Sequence, residues 1–270
     1  MPELPEVETI RRGLKPLITK QFIANVDIRN RRLRWPIARN LGTVLQDQQV
    51  LQLDRRGKYL LIKTSNGMLL VHFGMSGNLL YLPSATPPTT HDHVSIDFRS
   101  GSCIRFNDPR RFGSMHFTEE PKSHRLLKNL GPEPLEKDFT AEYLFRVSRN
   151  RRVAIKNHLM NSRIVAGLGN IYATEALFKA GIHPARPAGR ISAARITKLV
   201  ESTREVLIDA IRQGGTTLKD FVGGDGKPGF FQLSLNVYGR TDEPCFACGA
   251  PIKRSVQGQR SSYHCTRCQR

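Results

Sequence analysis

The chain has 270 residues and carries 42 Lys and Arg against 23 Asp and Glu, a net charge of +19 at pH 7. Basic residues run throughout rather than in one tail, which favours a polyanionic partner, nucleic acid first, over a merely solvated surface. No apolar run reaches the ~20 residues of a membrane span, and a start bearing Pro and Glu lacks the basic and apolar regions of a signal peptide, so a cytoplasmic protein is expected.

The chain opens Met1-Pro2-Glu3-Leu4-Pro5-Glu6. Leu4, Val7, Ile10, Leu14 and Leu17 follow at three- and four-residue steps, predicting an amphipathic helix to about Leu17 with its first turn at a surface or cleft. Pro2 admits two readings. It can simply start the helix, since proline is tolerated in a first turn. Alternatively, removal of Met1 leaves a secondary amine, which titrates near ~8 against ~10.4 for a lysine. Such an amine attacks a sugar C1′ to give an iminium that is cationic without a proton. Glu3 beside it is a candidate proton donor.

Residues 21–118 change period: Val50–Leu53, Tyr59–Ile62, Met68–Phe73 and Val94–Phe98 are short, β-branched runs bounded by turn residues. They predict an all-β sandwich or barrel, without the crossover helices of a doubly wound fold. Leu130–Leu135 reads as an interdomain linker. Helices are then predicted over Ala141–Val147 (capped by Thr140), Val153–Met160 and Asn170–Ala180, with a long one from Ser192 to Gly214. The expected class is multi-domain α+β, with domains at 1–130, 131–236 and 237–270.

Three constellations carry chemistry. Cys245-x2-Cys248-x16-Cys265-x2-Cys268 has the spacing of a four-thiolate zinc site on a β-hairpin that turns at Gly258. A segment this short lacks a core, so one structural Zn2+ is expected to supply its folding energy. His264 is set aside as a ligand, because four thiolates already complete zinc's usual set. The fifth cysteine, Cys103, reads as a buried apolar residue. Gly167-Leu168-Gly169-Asn170 before a helix, with Lys156 upstream, reads either as a phosphate clamp or as a plain inter-helix turn. Arg110 and Phe112 in Asn107–Gly113, with Met75 between glycines, could wedge into a duplex, or the two apolar side chains could pack in the core.

Together these stretches resemble the bacterial formamidopyrimidine-DNA glycosylase family along essentially the whole chain. The matching motifs are MPELPEVET, RRGKYLL, HFGMSG, HDHV, NDPRRFG, GLGNIYA, GGTTLKDF, VYGR and the cysteine hairpin. The resemblance implies a helix on a β-sandwich, a helix–two-turn–helix domain and a zinc hairpin. It implies excision of oxidised purines (8-oxoguanine and formamidopyrimidines) from duplex DNA, followed by β,δ-elimination. Pro2 would be the nucleophile, Glu3 the acid, Lys58 the β-elimination residue and Arg260 the δ-elimination residue. His72, His91, Arg110, Arg151, Lys156, Asn170 and Tyr238 would contact DNA, with Met75 and Phe112 filling the gap. Glu6, Glu175 and Lys219 would serve lesion recognition.

A flipped base costs a few kcal/mol of stacking, which explains a wedge, and phosphate grip explains the charge. Two other readings fit less of the chain. One is an endonuclease VIII-type glycosylase for oxidised pyrimidines; the other is a zinc-dependent DNA-binding protein without chemistry, against which Pro2-Glu3 stands. The implied setting is a monomer on damaged duplex DNA, in the bacterial cytoplasm at the nucleoid.

Overall fold

The computed structural model describes residues 2–215 and 235–270. It divides into two compact units, one built on residues 2–128 with 213–215 and the other on 129–212 and 235–270. Among the described residues no helix is long and apolar enough to cross a membrane.

The first unit begins with α1 (Leu4–Ile18), whose Leu4, Val7, Ile10, Leu14 and Ile18 are all fully buried. Ile18 rather than Leu17 completes the stripe, because a 3.6-residue period carries the buried face from Leu14 to the fourth residue on. The strands are β1 (Ile23–Ile28), β2 (Val50–Arg56), β3 (Tyr59–Thr64), β4 (Gly67–His72), β5 (Asn78–Pro83), β6 (Asp92–Phe98), β7 (Ser102–Asn107) and β8 (Ser114–Thr118). A short α2 (Leu41–Leu45), not expected from the pattern, sits between β1 and β2. The sheets run β1-β6-β7-β5 and β2-β3-β4-β8, every pairing antiparallel.

Both sheets and α1 share one core that includes Leu14, Leu60, Val71, Phe73, Ile96 and Phe106. Each such side chain stabilises the fold by roughly 1.5–3 kcal/mol relative to exposure. Alternation along β6 suggests one wet face. Ser95 is nonetheless buried, its hydroxyl donating to Asp97 Oδ1 at 3.1 Å. Local pairing satisfies a polar group that the pattern assigns to water.

The second unit holds α3 (Ala141–Ser148), α4 (Ile155–Met160), α5 (Asn170–Lys179) and α6 (Ala193–Arg212), then the hairpin β9 (Ile252–Gln257) and β10 (Arg260–Cys265). Thr140 Oγ1 accepts from Tyr143 N–H at 3.1 Å, the side-chain cap its position predicts. Helix α4 starts two residues later than the pattern suggests: Ala154 is extended and Val153 stays 41% exposed. The segment at 130–135 is no loose connector, since Gly131 N–H donates to Ser162 O at 2.8 Å and Ala166 N–H to Pro132 O at 3.0 Å. Gln269 fastens the cysteine hairpin to the helices. Its amide accepts from Cys265 N–H and donates to Ile182 O, each at 2.9 Å.

Candidate active site and metal centre

At the start of α1, Glu3 is the N-cap, with Glu6 three residues on. Glu3 N–H donates to Glu6 Oε2 at 2.8 Å while the Glu3 carboxylate accepts from the Glu6 N–H, a reciprocal capping box. Pro2, Glu3 and Glu6 are all buried, so the first turn is enclosed rather than displayed at a surface. Glu6 is fully buried, and a Cβ added at Gly215 would lie 3.0 Å from its Oε1. Its carboxylate therefore holds the first turn of α1 and leaves room at 215 only for a glycine. Further along, burial alone would raise the Glu8 carboxyl, but hydrogen bonds from Arg11 and Arg12 and the charges of Arg11 and Arg55 hold it at about 2.

Lys58 occupies the two-residue turn between β2 and β3, where Arg56 pairs with Tyr59. On the neighbouring strand the His72 ring lies 4.8 Å from the Tyr59 ring. Burial, then the positive charges of Lys58 and Arg34, push the His72 pKa down to about 4. The neutral imidazole accepts the Gly74 N–H through Nδ1 at 3.0 Å. Desolvation thereby keeps the ring uncharged, and Nδ1 is spent on the turn.

That turn presents Met75, 42% exposed, and the loop after β7 presents Phe112, 44% exposed. Of the two readings open for these residues, the structure excludes core packing. Arg110 lies over the Phe112 ring at 4.9 Å. Gly74 has φ +61, and a Cβ there would meet the Phe112 carbonyl carbon at 2.3 Å, so only glycine lets the two loops touch. Asp108, fully buried, ties them together: it accepts from Ser76 Oγ at 2.7 Å and from Gly113 N–H at 2.8 Å.

His91 is exposed in the loop between β5 and β6, its carbonyl accepting from Asp108 N–H at 3.0 Å. Buried Arg105 holds that loop by donating to Thr86 O at 2.9 Å and Pro87 O at 3.2 Å. Neither Asp108 nor Arg105 was legible as a site residue in the sequence. An acid between Asn107 and Pro109, in a loop that must fold back on itself, was the one available signal.

In the second unit Arg151 is exposed and available to a phosphate. Lys156, by contrast, is fully buried, donating to Ser261 O at 2.8 Å and Ser262 Oγ at 2.6 Å. Lys156 thus clamps the hairpin to α4. Gly258 at the hairpin tip, φ +54, sits so close to Asn157 that a Cβ would meet Nδ2 at 2.7 Å. Arg260 leaves this anchored turn exposed.

Asn170 Nδ2 lies 3.4 Å from Tyr238 Oη, joining two of the expected phosphate contacts. Glu175 Oε2 accepts from Asn236 N–H (2.9 Å) and Asn236 Nδ2 (3.1 Å), and Oε1 from the N–H groups of Val237 (3.0 Å) and Tyr238 (2.9 Å). With four donors its carboxylate is saturated. Glu175 thus anchors the segment bearing Tyr238. Lys219 lies outside the described residues.

Cys245, Cys248, Cys265 and Cys268 bring their sulfurs within 4.8 Å of one another. Tetrahedral zinc with bonds of ~2.3 Å sets its thiolates about 3.8 Å apart, and the pairs Cys245–Cys268 and Cys248–Cys265 stand at 3.9 and 3.4 Å. The donor set fits one structural Zn2+ and leaves no open position for catalysis. Cys103 is buried in β7, apart from the cluster.

Three family models match the chain: the formamidopyrimidine-DNA glycosylase N-terminal domain over residues 1–115, the H2TH domain of the same glycosylase over 130–222, and a zinc finger found in FPG and IleRS over 242–270. A formamidopyrimidine-DNA glycosylase from Stutzerimonas stutzeri is 53% identical over 270 residues, covering both chains completely. One from Pseudomonas aeruginosa is 51% identical, again over the whole of both chains. Among solved structures, the MutM (Fpg) protein of Thermus thermophilus superposes with a TM-score of 0.89 at 38% identity, covering 99% of this chain and 98% of that one. Lactococcus lactis Fpg in complex with DNA containing an abasic site gives a TM-score of 0.92 at 32% identity, covering all of both chains.

Proposed function

The chain belongs to the formamidopyrimidine-DNA glycosylase family, and from that premise we propose a base-excision repair enzyme that removes oxidised purines and then cleaves the abasic strand. The observation that carries the chemistry is the buried start of α1, where a capping box fixes Glu3 next to Pro2. Once Met1 is removed, the Pro2 nitrogen bonds to the sugar C1′ as the base leaves with the electron pair of the glycosidic bond. Glu3 supplies the proton that opens the sugar ring. The resulting iminium is the electron sink for loss of the C2′ proton, which expels the 3′-phosphate, and a second elimination expels the 5′-phosphate. Lys58 serves the first elimination and Arg260 the second.

Met75, Arg110 and Phe112 fill the gap left by the flipped nucleotide. His91, Arg151, Asn170 and Tyr238 grip the backbone, and Lys219 belongs with lesion recognition. Family membership sets aside the endonuclease VIII-type and non-catalytic readings. The enzyme works as a monomer in the bacterial cytoplasm at the nucleoid.

The test is borohydride trapping on a duplex with 8-oxoguanine opposite cytosine, mapped by peptide mass. An adduct on Pro2 is expected. An adduct on a lysine would move the nucleophile, and tight binding without any adduct would remove the chemistry.

A further inference from the structure

The loop between β1 and β2 carries Trp35, the only tryptophan of the chain. Two guanidinium groups converge on its indole: Arg34 lies 4.9 Å and Arg125 5.0 Å from the ring centre. Their charge centres are thus held no more than about 10 Å apart, at a separation where surface charges still repel at ordinary ionic strength. Among the described residues neither side chain meets a carboxylate or donates a hydrogen bond, although exposed Glu119 and Glu120 lie in the loop before Arg125. His116 and His124 extend the stack, with ring centres 5.6 Å from Trp35 and 5.7 Å from His116 respectively.

The surroundings register the uncompensated charge. Burial first, then His124 and Arg125, push His116 down to about 4. Burial raises the Tyr59 phenol while Arg34 and Arg125 oppose it. The stack is also placed with purpose: Arg34 N–H donates to Gly113 O at 3.0 Å, fastening it to the loop that presents Phe112. Two stacked, planar donors without an internal acceptor match the chemistry of a phosphodiester, which guanidinium groups bind in bidentate fashion.

We propose that Arg34 and Arg125, held on Trp35, form a phosphate subsite that extends the grip on the duplex beyond the gap-filling residues. It rests on the reading of Met75, Arg110 and Phe112 as the wedge, and it adds affinity without sequence preference.

The experiment compares wild type with R34A/R125A and R34K/R125K in equilibrium binding to an undamaged duplex across a salt series. Each neutralised phosphate contributes about −0.9 to the slope of log K against log salt, so the alanine pair, which removes one phosphate contact, lowers its magnitude by about 0.9 and weakens binding on the order of tenfold. The lysine pair restores the slope, because it keeps the charges, but recovers affinity only in part. Trp35 emission of the wild type shifts on adding duplex. An unchanged slope in the alanine pair overturns the subsite, as does a Trp35 emission that does not move on adding duplex. Borohydride trapping of the wild type runs alongside: a reduced slope without a Pro2 adduct leaves the subsite standing while the catalytic reading fails.

Discussion

Asp108 accepts a hydrogen bond from Ser76 Oγ at 2.7 Å across a junction of two loops, with its second oxygen on Gly113 N–H. One buried carboxylate thus ties together the two loops that expose Met75 and Phe112. Replacing Asp108 by Ala leaves a hydroxyl and an amide buried without an acceptor, at about 1–3 kcal/mol for each. Urea unfolding should show that loss. Base excision should fall with it, while Ser76→Ala, which removes donor and contact together, should cost less in both measurements.

Glu175→Ala strips the acceptor from three backbone amides at 236–238 and should destabilise the protein by about 2–4 kcal/mol. Because Tyr238 hangs on this segment, DNA affinity should fall with it. Glu175→Gln keeps one accepting oxygen and should land between the two in both melting and binding. Affinity that is unchanged in Glu175→Ala would separate Tyr238 from the phosphate grip.

Glu8 gives an acid-stability signature. Its folded pKa of about 2 lies below the ordinary carboxyl value of 4.5, so its stabilisation is present above about 4.5 and is lost as pH falls toward 2. Its partners include Arg12, 59% exposed, so screening trims the contribution to about 2 kcal/mol. Thermal melts of Glu8→Gln should fall below wild type at pH 7, and the gap should close near pH 2.

Lys156→Met should loosen the hairpin tip while leaving the four cysteines in place. Strand β10 loses its ammonium donor at the Ser261 carbonyl and the Ser262 hydroxyl. Gel analysis of cleaved strands should show more product arrested after β-elimination, since Arg260 is no longer held for the second step. Product ratios equal to wild type would dissociate Arg260 from that step.

Stripping the zinc with a strong chelator under mild denaturant should unfold the hairpin, because the apolar cluster of Val237, Ala250 and Ile252 around the cysteines is too small to fold alone. DNA binding should be lost, then return on adding Zn2+ under reducing conditions.

What the sequence determined by itself is local and periodic. The stripe from Leu4 to Leu14 requires a helix, the short β-branched runs require antiparallel strands, and the spacing of Cys245, Cys248, Cys265 and Cys268 requires a metal knuckle. These follow from side-chain period and ligand geometry, which neighbours along the chain already express. The tertiary structure decided which charged and polar side chains face solvent and which face the protein. Lys156, Glu6 and Glu175 are charged residues whose surroundings no local pattern gives, and all three are buried and bonded to their own chain. Met75 and Phe112 look like core residues taken singly, yet packing at Gly74 and Asp108 turns them outward. Burial of a polar group depends on partners distant in sequence, such as Ser262 for Lys156 or Ser76 for Asp108, and only the folded chain brings those donors and acceptors within reach.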